Sequence, residues 1–111
     1  MIEERSFDFA IKSIEIVKKL RLKREYVLAN QLLRSATSIG ANVAEAGAGQ
    51  SKKDFIAKMA IASKEARETR YWLRLLKTSG TMVEVHELLD EVDQLIKILT
   101  KIVKTSQENE K

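Results

Sequence analysis

Catalysis would have to begin from a nucleophile, an acid–base pair or a phosphate loop. This chain of 111 residues offers one histidine, no cysteine and four glycines. His86 stands on an acidic stretch with no thiol to pair with. A carboxylate-bridged di-metal centre in a helix bundle needs Glu-x-x-His on two helices and two further glutamates. Val83 sits three residues before His86, so even one copy of that motif is missing. Gly47-Ala48-Gly49-Gln50-Ser51 looks superficially like a phosphate loop, but it lacks the Lys-Ser/Thr ending and a preceding strand. It reads as a helix–helix turn. The expectation is a protein without catalytic residues, metal or cofactor.

Two polar stripes remain, and each could recognise something. At 100° per residue Gln31, Arg34, Ser38, Asn42 and Glu45 fall on one side of a helix, beside its apolar face. Small neighbours, Ser35 and Ala41, would let another helix approach closely there. Arg34 and Glu45 are three turns apart and cannot pair within their own helix. Their partners must come from a neighbouring helix or another subunit, so the stripe reads as a structural polar network or an oligomer contact.

The second stripe is cationic. Arg67, Arg70, Arg74 and Lys77 follow at intervals of three and four, with no acid at the neighbouring helical positions to neutralise them. Tyr71 and Trp72 lie alongside, and Lys52 and Lys53 add charge at the start of the same segment. Arginine with nearby aromatics suits phosphate contact and base stacking, which is what RNA recognition requires. A competing reading keeps the charges internal. The next segment opens with five acids (Glu84, Glu87, Asp90, Glu91 and Asp93) that could fold back across the hairpin. The net charge of +4 hides this asymmetry: residues 51–80 carry 8 basic and 3 acidic side chains, residues 81–111 carry 4 and 7.

Apolar spacing supplies the elements that must position these stripes. Phe7, Ala10, Ile11, Ile14, Val17 and Leu20 trace one helical face over about residues 4–23. Leu28, Leu32, Ala36 (or Ser35), Ile39 and Val43 trace a second over 26–46, which Gly47-Ala48-Gly49 should break. Ser51 can cap a third helix over 52–78, with Asp54 at its third position and Phe55, Met59, Ala62, Ala66, Leu73 and Leu76 facing inward. Val85, Leu88, Leu89, Val92, Leu95, Ile96, Leu99, Ile102 and Val103 give a fourth over 83–104, and residues 106–111 read as a frayed polar tail. Short connections imply an all-α, antiparallel up-down-up-down four-helix bundle occupying residues 1–105.

Hydrophobic residues make up 44% of the chain and charged residues 32%, enough for one core and a solvated surface. The absence of proline agrees with long uninterrupted helices. No apolar run approaches a membrane span and no signal-peptide pattern opens the chain, so a cytoplasmic protein with no membrane partner is expected. Phe9 and Ile16 lie off the main stripe of the first helix, as do Ile61 and Trp72 on the third. That excess of apolar surface points to self-association through helix faces.

The residues also resemble a known family. Gln31-Leu32-Leu33-Arg34, Ser38-Ile39-Gly40-Ala41-Asn42-Val43-Ala44-Glu45 and Ser51-Lys52-Lys53-Asp54-Phe55 are similar to the bacterial four helix bundle proteins encoded in intervening sequences of 23S ribosomal RNA genes. Ile61-Ala62, Lys64-Glu65-Ala66-Arg67-Glu68-Thr69 and Tyr71-Trp72-Leu73 extend the likeness, which covers roughly residues 7–103. Ala46 stands where the family usually has glycine, and Gln50 where a basic residue is common. The resemblance implies an up-down bundle assembling as a barrel-like homopentamer, with no assigned catalytic residues. It also implies kinship with the accessory protein of diversity-generating retroelements, which binds its reverse transcriptase and RNA through a basic surface. The resulting expectation is an oligomeric scaffold that contacts RNA, or an RNA-handling protein, through Lys52, Lys53, Arg67, Arg70, Arg74 and Lys77. The alternative is a protein–protein adaptor with its charges paired internally.

Overall fold

The structure, a computed structural model, describes residues 1–48 and 51–110. Four helices follow in order: α1 (Ile2–Leu22), α2 (Tyr26–Gly47), α3 (Lys52–Thr78) and α4 (His86–Glu110). Each packs against its sequence neighbours, and α4 closes on α1 through the sparsest of the four seams. The result is the four-helix up-down bundle, a rod of 49 × 21 × 21 Å.

Local signals at the helix ends behave as their chemistry requires. The Ser51 side chain accepts a 3.0 Å hydrogen bond from the Asp54 amide and so caps α3. Ser79 closes α3, and Gly80 turns the chain at φ +77°. The α1–α2 turn reaches the same left-handed conformation without glycine. Arg24 sits at φ 62°, its amide bonded to the Arg21 carbonyl and the Glu25 amide to the Leu20 carbonyl. These two bonds make a Schellman cap, satisfying carbonyls that the end of a helix leaves open. Lys23 Nζ links this turn to the one between α3 and α4 by donating to the Thr81 carbonyl at 2.9 Å. Ala48 is the C-cap of α2, but the Gly49 part of the expected break lies outside the described residues, as does Gln50.

Two expectations need correction. The buried face of α1 is not the Phe7–Ile11–Ile14 stripe: Phe7 and Ile11 are 65% and 50% exposed. The core line is Ser6, Phe9, Ser13, Ile16, Val17 and Leu20. The two serines made this line look polar, yet each hydroxyl is satisfied by its own helix. Ser6 Oγ donates to the Glu3 carbonyl at 3.1 Å and Ser13 Oγ to the Phe9 carbonyl at 2.9 Å. Their small size brings α1 close to α2. A Cβ added to Gly40 would lie 3.4 Å from the Ser6 carbonyl oxygen.

The second correction concerns α4, which begins at His86 rather than near 83 and continues through Glu110 instead of fraying at 105. Met82 and Val85 are nonetheless buried, as part of the turn that plugs this end of the core. At the other end, Ser106 is half-buried, so the polar segment keeps a packed side while it stays helical.

Arg24 carries a side chain in a conformation that costs an L-residue about 1–2 kcal/mol, part of which glycine repays as lost chain entropy. Arg24→Gly should therefore raise stability by about 0.5–1 kcal/mol, read as a higher urea midpoint at an unchanged slope.

Candidate functional site

The polar stripe of α2 faces α3 of the same protomer. Arg34 Nη1 lies 3.3 Å from Glu65 Oε1, and Nη2 bonds both Glu68 and, at 3.2 Å, Gln31 Oε1. Glu68 also accepts from Trp72 Nε1 at 3.0 Å, so one carboxylate ties the guanidinium to the indole. Glu45 pairs with Lys58 at 3.0 Å, and that contact raises the Lys58 pKa above the ordinary lysine value. Ser38 and Asn42 turn to their own helix, with Ser38 Oγ donating to the Arg34 carbonyl at 2.6 Å and Asn42 Nδ2 to the Ser38 carbonyl at 2.8 Å. Just inside this edge, the buried Thr69 and Ser35 hydroxyls lie 2.9 Å apart. Lys58, Glu65, Glu68 and Thr69 were missed as members of the network. The signal was available in the i, i+3, i+4 spacing of Glu65, Glu68 and Thr69 on the facing helix.

The cationic stripe of α3 meets α4 unevenly. Arg70 Nη1 is 3.3 Å from Asp93 Oδ1, and Arg67 Nη2 donates to the neutral Thr100 hydroxyl at 3.0 Å. The other four acids of the α3–α4 turn and the first turns of α4 face elsewhere. Glu87 and Glu91 sit 2.9 and 3.7 Å from Lys12 of α1, Glu84 is 3.9 Å from Lys19, and Asp90 lies 3.4 Å from His86. Lys12 holds its proton above the ordinary lysine value because it hydrogen-bonds Glu87 with Glu91 close by. Among the described residues Arg67, Arg74, Lys77, Lys52 and Lys53 therefore have no carboxylate partner. Internal neutralisation of the stripe is limited to Arg70.

These cations do not form one compact patch. Arg67 to Lys77 spans about 15 Å of α3, whereas Lys52 lies about 22 Å further back along the axis from Arg67. Lys52 and Lys53 also occupy the first turn, where the helix dipole disfavours positive charge. Sequence reasoning overlooked the cation that does stand beside Arg67, Lys104 of α4. The second half of α4 places Lys97, Lys101 and Lys104 in solvent, with no acid between Asp93 and Glu108 to offset them. Lys104 and Arg67 flank a shallow groove of about 250 Å³ whose lining includes Ala60, Ser63, Thr100 and Gln107.

A larger groove runs between α1 and α2. Its volume is about 680 Å³, with Phe7, Ile11 and Ile14 on one wall, Ala41 and Ala44 on the other, and Glu3, Glu4 and Asp8 at the rim. His86, by contrast, is an exposed side chain beside Asp90. No group of three or more potential ligands among the described residues could hold a metal ion. No described helix is long and apolar enough to cross a membrane.

Fold and surface together define an elongated four-helix bundle with a polar α2–α3 seam, a basic α3–α4 side and an apolar α1–α2 groove. The family model for the 23S rRNA-intervening sequence protein matches residues 1–101, and the chain belongs to that family. Among solved structures it is similar to a protein of unknown function from the S23 ribosomal protein family of Bacteroides thetaiotaomicron VPI-5482. The identity is 38% and the TM-score 0.90, covering 94% of this chain and 99% of that one. No curated protein matches it.

Removing the guanidinium that joins the two helices should leave Glu65, only 16% exposed at its side chain, facing Glu68 with no cation between them. Arg34→Ala should cost about 1–2 kcal/mol in urea unfolding and shift the emission of Trp72, whose indole shares Glu68. Lys77→Ala, without a carboxylate partner, should change stability by less than about 0.5 kcal/mol.

Proposed function

We propose that this protein is a non-enzymatic, oligomeric helical scaffold whose basic α3–α4 side engages nucleic acid, RNA in the first instance, or an RNA-handling protein. One observation carries the reading. Glu84, Glu87 and Glu91 pair with lysines of α1 and only Asp93 reaches the stripe, so among the described residues Arg67, Arg74 and Lys77 have no carboxylate partner and stay open to an outside anion. Lys104 of α4 lines the same groove as Arg67, and no acid lies between Asp93 and Glu108 in sequence. Exposed cations of this kind bind phosphate by releasing counterions, so affinity should fall steeply with salt. The adaptor reading draws support from Arg70, the one stripe residue that finds an acid, Asp93.

The scaffold is proposed to be a homo-oligomer, a pentamer by the likeness noted above, working in the cytoplasm. The wall of exposed Phe7 and Ile11 with half-buried Ile14 supports self-association, because an apolar groove of about 680 Å³ is a large unpartnered surface for a rod this thin. Repetition of the basic side around an assembly would turn a weak contact per protomer into tight overall binding.

Titration with structured RNA should give binding at low salt that weakens as salt rises. Arg67→Ala/Arg74→Ala/Lys77→Ala should reduce affinity at least about 10-fold and flatten the salt slope, while circular dichroism stays unchanged. If the triple variant unfolds or binds as the parent does, the adaptor reading takes over. For the groove, Ile11→Asp should lower the mass measured by sedimentation to that of a single helical protomer. An unchanged mass would remove the groove from the assembly.

A further inference from the structure

The outward ridge of α3 alternates charge with one aromatic ring. Lys64, Arg67, Tyr71, Arg74 and Thr78 follow at intervals of three and four, and so point away from the core line of Ala66, Thr69 and Leu73. Tyr71 is 55% exposed. With Arg74, Leu75 and Thr78 it lines a shallow pocket of about 220 Å³.

Tyr71 is braced from below. Its ring meets Trp72 edge-on, with centroids 5.1 Å apart and planes at 74°. Trp72 is half-buried, and its indole is anchored to Glu68, which Arg34 holds from α2. A chain of contacts through two helices therefore limits the tilt of a ring that contributes little to the core. An exposed, braced aromatic between guanidiniums has the chemistry of a stacking surface, since every nucleobase has a π-face and its neighbouring phosphates want cations.

We propose that Tyr71 is a stacking platform for an unpaired nucleobase, with Arg67 and Arg74 taking the phosphates on either side. Arg67 and Arg74 are separated by about 10 Å along the helix, leaving the ring between them. A duplex keeps its base faces covered and would meet this ridge only through its phosphates. The ligand class is therefore a single-stranded segment or an unstacked loop. This proposal rests on the nucleic-acid reading above and narrows it.

The sole tryptophan, Trp72, is the reporter. The full chain is titrated at low salt with a short labelled uridine oligonucleotide, its deoxythymidine counterpart and an RNA duplex of equal phosphate number. Anisotropy and tryptophan emission are followed together. Either single strand should bind and quench Trp72, the tighter of the two naming the sugar, while the duplex should bind without quenching. Tyr71→Ala should weaken strand binding by about 5- to 100-fold and leave duplex binding unchanged, and Tyr71→Phe should restore it. Equal weakening of strand and duplex by Tyr71→Ala would overturn the platform, as would strand binding with no change in emission. Loss of the assembly in Tyr71→Ala would also overturn it, by making the ring a contact between copies. If none of the three nucleic acids binds, the broader nucleic-acid reading falls and takes the platform with it.

Discussion

Thr69 and Ser35 meet in a fully buried position between α2 and α3, hydroxyl to hydroxyl at 2.9 Å. Each hydroxyl also reaches a carbonyl of its own helix, Thr69 to Glu65 at 2.8 Å and Ser35 to Leu32 at 3.4 Å, and two larger side chains there would force the helices apart. The pair therefore fixes how close the helices come and how each is rotated about its axis. With Thr69 pointing inward, Glu65 and Glu68 stand at the α2 edge within reach of Arg34, and Trp72 reaches back to Glu68. The same rotation turns Arg67, Tyr71 and Arg74 away from the core. A buried two-atom contact thus sets which charges are consumed inside the bundle and which remain outside.

The placement of acids on α4 has a similar logic. The α1–α4 seam is the most sparsely packed, and it is crossed by Lys12 to Glu87 and Glu91, Lys19 to Glu84, and Arg5 to Gln94. Exposed pairs of this sort contribute little each, so this seam is the weakest side of the rod. Their larger consequence is directional. Carboxylates committed to α1 cannot screen α3, and the basic side survives because the opposite edge of α4 is occupied.

Much of this was legible in the residues. Helix number, order and the interior of α4 followed from apolar periodicity, because an unbroken stripe of branched aliphatics admits one rotation only. The isolation of Arg34 and Glu45 from each other left a neighbouring helix or another subunit to supply partners, and Glu65, Glu68 and Lys58 of α3 fill that role. The α1 face was misread for a physical reason. Periodicity weighs Phe7 and Ile11 as core and Ser6 and Ser13 as solvent, whereas close packing favours the smaller pair when their hydroxyls bond their own helix. The destination of the α4 acids was equally hidden. The stripe fixes which side of α4 faces the core but not on which flank α1 and α3 stand, so five carboxylates near a hairpin could turn to either neighbour.

That misread face bears on how assembly and binding would coexist. In a bundle where each helix touches only its sequence neighbours and α4 returns to α1, the α1–α2 groove and the α3–α4 side lie on opposite flanks. A copy seated on Phe7, Ile11 and Ile14 would leave Arg67, Tyr71 and Arg74 uncovered on that protomer. Had Phe7 and Ile11 been core residues, Phe9 and Ile16 would have turned outward on α1 in their place. Burying the serines and exposing Phe7 places the apolar groove on the flank away from Arg67, Tyr71 and Arg74.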